Sequence, residues 1–344
     1  MKPMRFGVAL PTCTEGMIYP VPFATPDDVV RVALEAERLG YYAVMGNDHM
    51  TTQKYVRERW PDPPNFYELL VTYAYCAAHT TRIRLMTGVI VMPMRQPVLL
   101  AKQVATLDQF SRGRVILGVG VGAYREEFEA TYPQLKAIPR AELVEEGIRS
   151  LRVLFTERQA SFTGKHYQFE AVEMYPKPLQ LPLPIYSSGN AEGSIRRAAE
   201  LCEGWLPAGM GPLRIAEGRD KIRAYAEAAG RNPDAIEIAP QLVVCIGRTV
   251  EEAERVFKRS QAYEHLVSLQ QSTLKGFDID SYVAMNLIGS VDEVCERVDA
   301  YRQAGADHLP GLLFVANTVE EMIQQSQLFA ETVIPNFSGE GPVA

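Results

Sequence analysis

A short run in this chain, Ala43-Val44-Met45-Gly46-Asn47-Asp48-His49, is apolar until it ends in three polar residues. It follows a helix-like segment closed by Gly40, so it reads as a strand whose C-terminal end presents Asp48 and His49. In α/β folds ligands bind at the C-terminal ends of parallel strands. There His49 can serve as a general acid or base, or as a hydrogen-bond donor to a ring, with Asp48 tuning its charge. A lone histidine at a strand end is as often structural. A second stretch, Gly118-Val119-Gly120-Val121-Gly122-Ala123, leaves three readings open. It matches a dinucleotide fingerprint in letters, but it opens a loop containing Pro133 instead of a helix, against the context that motif needs. Its glycines can simply allow tight strand packing, or Gly120 and Gly122 can form a wall over which a flat ring lies. In the third stretch, Ile185-Tyr186-Ser187-Ser188-Gly189-Asn190-Ala191, a strand turns into a helix. Ser187, Ser188, Gly189 and Asn190 there offer amides, hydroxyls and a positive helix end to a phosphate, or else a plain helix cap.

The elements that must hold these residues alternate strand and helix along the chain. Expected strands are 6–10, 43–46, 83–91, 115–119, 184–188, 204–206, 236–246 and 308–315. Expected helices are 26–39, 66–79, 98–110, 141–155, 191–202, 213–229, 250–257, 291–303 and 319–331. Gly40, Gly230 and Gly305 each follow a helix where a left-handed residue is needed before the next strand. About eight β/α units imply an α/β fold, a (β/α)8 TIM barrel with insertions in its strand–helix loops. A doubly wound sheet is the alternative. Residues 1–335 read as a single domain and 336–344 as a C-terminal tail. The stretches 47–64, 122–140, 156–183 and 259–288 exceed what a barrel needs. The first two follow strands and should roof the catalytic end. Residues 162–169 read as a small hairpin.

The bulk properties narrow the partners. Of 344 residues, 47% are hydrophobic and 22% charged, ordinary for a globular protein with a large core. The net charge of −7, with no dense Lys/Arg cluster, argues against nucleic acid. The apolar run between Arg84 and Arg95 is too short to span a membrane. The five cysteines are scattered and form no CxxC pair, so a reducing, cytoplasmic setting is expected. His79, His166, His265 and His308 lack ligand spacing, so no metal site is expected. Neither a G-x-S-x-G elbow nor a P-loop lysine is present.

Along nearly its whole length the chain resembles the luciferase-like flavin-dependent oxidoreductases. The resemblance rests on Phe6–Pro11, Ala36-Glu37-x-Leu39-Gly40, Asn47-Asp48-His49, Thr81–Val89, Pro97–Asp108 and Ser111–Gly122. It continues through Pro176-Lys177-Pro178, Pro184-Ile185-Tyr186-x-x-Gly189-Asn190 and Glu203-Gly204-Trp205. The branch it looks most similar to is often labelled as F-420 (deazaflavin) oxidoreductases. The resemblance implies reduced FMN or F-420 lying on strand ends, its phosphate near Ser188, Gly189 and Asn190. It puts His49 at the family's active-site histidine, and Gly88-Val89 where a non-prolyl cis peptide often meets the ring. The implied cofactor set is Gly88, Val89, Gly120, Gly122, Ser187, Ser188, Gly189 and Asn190.

Two departures qualify this. F-420-dependent alcohol and sugar dehydrogenases carry a Trp four residues after the histidine and a Glu after the glycine run, where this chain has Gln53 and Ala123. Bacterial luciferases carry an Arg at the position of Val121 and a Glu at that of Asn190, so a phosphate here would rest on amides, Ser and Asn. The expected activity is therefore monooxygenation of a small organic substrate by O2 with reduced FMN from a separate flavin reductase. Tyr124, Arg125 and the 47–64 loop would shape the substrate side. The alternatives are an F-420-dependent hydride transferase and a non-catalytic barrel that binds flavin or a partner protein. The resemblance also favours a homodimer.

Overall fold

Local sequence sets where each helix starts and stops, as the first one illustrates. The helix Pro26–Arg38 opens with a capping box: the Thr25 hydroxyl accepts from the Asp28 amide, and the Asp28 carboxylate accepts from the Thr25 amide. Gly40 leaves it at φ +80°, and Gly230 and Gly305 do the same after their helices at +70° and +102°, as their positions in the sequence require. The structure is a computed structural model and describes residues 3–269 and 278–337. Residues 338–344 of the expected tail, and 270–277 of the long 259–288 stretch, lie outside the described residues.

The strands are β1 Arg5–Ala9, β2 Ala43–Gly46, β3 Arg84–Thr87, β4 Ile90–Val91, β5 Val115–Gly120, β6 Ala160–Thr163, β7 Gln168–Val172, β8 Ile185–Ser188, β9 Gly204–Leu206, β10 Glu237–Ile238, β11 Val243–Ile246, β12 Leu287–Gly289 and β13 His308–Phe314. One parallel sheet runs β10-β9-β8-β5-β3-β2-β1-β13-β11-β12, with β4 also on β5. It closes on itself through β10 and β11, which are two pieces of one expected strand. β10 pairs with β9, and β11 with β13. The Asp307 amide donates to the Ile238 carbonyl and the Leu313 amide to that of Leu242, which stitches the break. The result is the expected mixed α/β barrel. The strand expected over 236–246 is interrupted around Pro240, which has no amide to donate to a ladder. The strand expected over 83–91 divides into β3 and β4 at Gly88–Val89, joined by a cis peptide bond. β6 and β7 form the small antiparallel hairpin.

Two packed layers hold the barrel. Inside, Ala43, Met45, Met86, Ile116, Tyr186, Leu206 and Ala239 form the central core. Outside, strand residues such as Val44, Leu85, Leu117 and Ile185 meet the helices. β5 lies so close to β3 that a Cβ at Gly118 would strike the Thr87 carbonyl, which leaves no room for any other residue. Gly118→Ala is expected to lower stability by about 1–3 kcal/mol, the usual penalty for overpacking. A urea midpoint equal to that of the unaltered protein would show that β5 can move away.

Two of the long stretches lie between a strand end and the next barrel helix, and both contain short helices that hydrophobic periodicity did not reveal: Lys54–Arg59 and Arg125–Thr131. The described part of 259–288 contains Gln261–Leu269 and Ile279–Met285. Among the described residues no helix is long and apolar enough to cross a membrane.

Candidate active site

At the end of β2 the chain turns sharply, and Asp48 and His49 part company. The Asp48 carboxylate is buried and accepts from the Val91 amide at 3.0 Å and from the Arg95 guanidinium through Nε at 3.2 Å and through Nη2. Burial pushes this carboxyl upward, with Arg95 opposing. Arg95 also reaches Glu68 at 2.9 Å. Asp48 therefore ties the β2 end to β4 and is not the residue that orients His49. That is a correction to the expected Asp48–His49 pairing, and its cause is geometric. Adjacent side chains at a strand end point in opposite directions.

Glu127 takes the role instead. His49 Nδ1 lies 2.9 Å from Glu127 Oε2, with only 11% and 3% of the two side chains exposed. The other Glu127 oxygen accepts from the backbone amides of Met50 and Thr51. Glu126 accepts from the Lys54 amide at 2.9 Å. The 49–54 loop is thus pinned to the helix Arg125–Thr131 by two consecutive acids. Buried Gln53 places its side-chain amide 3.2 Å from the same His49 nitrogen. With Nδ1 donating to a carboxylate, Nε2 is left free to exchange a proton. It has no hydrogen-bond partner among the described residues. The acid that seemed absent after the glycine run is present four positions beyond Ala123. Nothing in sequence spacing pointed to it except an acidic pair in a loop.

His49 forms one wall of a cavity of about 290 Å³ at the strand C-terminal ends. Gly88, Val89, Asp48 and Gly122 of the expected set also line it. Its lining includes the apolar Met17, Ile18, Val243 and Leu313 and the polar Tyr124, His265, Gln241 and Tyr282. Tyr55 Oη lies 2.6 Å from His265 Nδ1 and 3.5 Å from Tyr124 Oη. Burial pushes the Tyr124 phenol up to about 12, and burial together with His49 lowers His265 to about 4. Tyr55 and His265 were missed in the sequence because the segments carrying them meet only in the folded chain. Arg125, expected at the substrate side, is exposed and pairs with Glu129 at 2.7 Å.

The other expected cofactor residues are not among those lining this cavity. A Cβ at Gly120 would lie 3.1 Å from Val89 Cγ2 and 3.3 Å from Ser188 Cβ, so this glycine serves close strand packing. The glycine run is mainly a packing surface, with Gly122 alone opening on the cavity. Ser187 is fully buried and donates to the Ser194 carbonyl at 3.1 Å. The Asn190 side chain is taken up by Ala208, donating to its carbonyl at 2.7 Å and accepting from its amide at 3.2 Å. Gly189 turns the chain at φ +119°. Beyond it the helix Glu192–Leu201 starts at Ala191 with no side-chain cap.

Two arginines unnoticed in the sequence stand at this corner. Buried Arg197 donates to Ser194 Oγ at 3.1 Å, its Nε has no partner, and its Nη1 would lie 3.7 Å from a Cβ at Gly193. Arg140 donates to the Val121 and Gly122 carbonyls at 3.0 and 3.1 Å. Positive charge thus reaches the neighbourhood of Val121 by another route. Among the described residues no cluster of three or more His, Cys, Asp or Glu is placed to hold a metal.

A parallel barrel with an acid-paired histidine facing a cavity at its strand ends is the architecture of a β/α-barrel enzyme. The chain belongs to the luciferase-like monooxygenase family, whose description matches residues 4–308, and it is an oxidoreductase. It is 29% identical over 280 residues to an FMNH(2)-dependent dimethylsulfone monooxygenase of Pseudomonas putida, covering 73% of this chain and 74% of the relative. It is 26% identical over 336 residues to an F420-dependent glucose-6-phosphate dehydrogenase of Amycolatopsis mediterranei, covering 92% and 96%. Among solved structures, the monooxygenase RslO1 from Streptomyces bottropensis shares the fold with a TM-score of 0.78 at 24% identity, covering 97% of this chain and all of the other.

Proposed function

We propose that this protein is a reduced-FMN-dependent monooxygenase that oxidises a small organic substrate with O2. The observation carrying this reading is the largely apolar cavity that His49 borders. The Trp of the F-420 dehydrogenases is replaced by Gln53, which is buried against His49, so that tryptophan is missing from the site. When bound, reduced FMN supplies the two electrons that activate O2.

The residues present fit such a group. The orphaned, buried Arg197 Nε, the side-chain-free Gly193 beside it and the uncapped helix start suit a phosphate. Ser188, Ser194 and Arg197 would hold it, with Gly88, Val89 and Gly122 bordering the ring. Glu192 in the first turn is paired with Lys221 at 2.5 Å and does not oppose an anion. His49, oriented by Glu127, would hydrogen-bond or protonate at the ring, and the apolar lining would exclude water. A separate flavin reductase would deliver the reduced cofactor. The protein would pair as a homodimer through a face such as that carrying exposed Val71, Leu99 and Phe110. A single catalytic domain over 1–335 and a cytoplasmic setting complete the reading.

The second reading, F-420-dependent hydride transfer, is favoured by one observation, the acid beside His49. Anaerobic titration with reduced FMN and reduced F-420 separates the two. Selective binding of reduced FMN is expected, weakened about tenfold or more in Arg197→Ala, the loss of roughly one charge-assisted hydrogen bond. Selective F-420 binding would replace the monooxygenase with the hydride transferase, and binding of neither would sink both.

A further inference from the structure

His265 lies on the helix Gln261–Leu269, outside the residues that the cofactor reading uses, yet it borders the same cavity as His49. The hydroxyl of Tyr55 has one proton and lies 2.6 Å from His265 Nδ1. The Tyr124 hydroxyl stands 3.5 Å behind it. A phenol is the stronger donor and a bare imidazole nitrogen the stronger acceptor, and 2.6 Å is short for an N–H donor, so Tyr55 donates to Nδ1 and the ring proton stays on Nε2. Nε2 has no hydrogen-bond partner among the described residues, so it is an unused donor beside the cavity. Burial and the nearby His49 disfavour a charge on this ring.

The charge inventory of the cavity points the same way. No Lys or Arg of the described residues lines it. Asp48 is committed to Arg95, and Arg59, in the outer hollow beyond Tyr55, is paired with Glu264. Gln241, Tyr124 and Tyr282, which also line it, bear no formal charge, and Glu127 sits behind His49. An anionic substrate would lose its water there without gaining a cation, which disfavours its binding. A neutral acceptor needs only one donor, and its apolar remainder would meet Met17, Ile18, Val243, Phe257, Leu266 and Leu313.

We propose that His265 is a substrate-binding residue, its tautomer set by Tyr55, and that the site takes small uncharged molecules bearing a hydrogen-bond acceptor. This rests on the reading of the cavity as the substrate side of the cofactor site. The probes are dimethyl sulfone and methanesulfonate, close in shape and different in charge. Their binding to the cofactor-loaded protein is followed by calorimetry and ligand-observed NMR.

The sulfone is expected to bind about tenfold or more tightly than the sulfonate, and to lose about tenfold or more in His265→Phe. Cofactor affinity should stay unchanged. In Tyr55→Phe the His265 ¹⁵N shifts should move from one Nε2–H tautomer toward a mixture, a signature that a packing role would not produce. Equal or tighter binding of methanesulfonate, no binding of the sulfone, unchanged sulfone affinity in His265→Phe, or unmoved shifts in Tyr55→Phe would each overturn the proposal. Failure of the cofactor reading would show separately, as loss of flavin and deazaflavin binding by the unaltered protein.

Discussion

Replacing His49 by alanine is expected to cut turnover by about 10²-fold or more, the usual contribution of a positioned acid or base, while folding is kept. The side chain faces a cavity on one side and Glu127 and Gln53 on the other, so its loss leaves the packed core untouched. Glu127→Gln is the sharper companion. Glutamine keeps the shape and can still accept from the Met50 and Thr51 amides that Glu127 holds. It cannot act as the anionic acceptor for Nδ1, so the imidazole is free to place its proton on either nitrogen. If His49 and Glu127 act as one unit, the double variant should be no slower than His49→Ala alone. Turnover unchanged in His49→Ala would remove the residue from the mechanism. Additive losses would mean that Glu127 serves the 49–54 loop and not the imidazole.

Acidification is expected to destabilise the fold through His308, a residue the active site does not use. Its side chain is fully buried at the start of β13, and among the described residues neither ring nitrogen has a hydrogen-bond partner. Tyr42 and Tyr186 meet it edge-on at 5.8 and 5.7 Å, and the Glu237 carboxylate lies 3.7 Å away. Burial lowers this histidine to about 3, with Arg5 and Arg84 adding to the effect and Glu237 opposing it. In the unfolded chain an imidazole takes its proton near pH 6.5. The folded state therefore binds fewer protons between about 6.5 and about 3. The stability that His308 contributes is whole above pH 6.5 and is lost progressively as the pH falls toward 3. At pH 4.5 the loss should be on the order of 3 kcal/mol. His265, lowered to about 4, acts in the same direction. His308→Phe keeps the edge-on ring contacts and removes the titration, so its urea-unfolding free energy should fall less between pH 7 and 4.5. Parallel pH profiles for the two proteins would show that His308 titrates normally.

Much of the scaffold is legible in the sequence because its causes are local. Periodicity marks the barrel helices, Thr25 and Asp28 close a capping box, and Gly40, Gly230 and Gly305 adopt the left-handed turn that a helix end requires. Such features depend on a few neighbouring residues, so a linear reading finds them. The same reading places His49 and Gly122 at or just beyond strand ends, the resemblance adds Gly88 and Val89, and the structure gathers all four at one cavity. The short helices Lys54–Arg59 and Arg125–Thr131 are harder to read, since six or seven residues carry too little periodicity.

The partners in the site are another matter. Asp48 and His49 are adjacent in the chain, yet one anchors Arg95 and the other meets an acid 78 positions away. Tyr55 meets His265 across 210 positions, and the two glycines weighed as a ring platform divide between packing and cavity. The chain alone determined the barrel, its helix ends and the histidine at a strand terminus, because each follows from propensity and backbone freedom within a few residues. Which group orients that histidine, which donor faces it and where positive charge stands were decided only by tertiary structure. Hydrogen bonds and burial act over a few ångströms of space, and sequence separation carries no record of those distances.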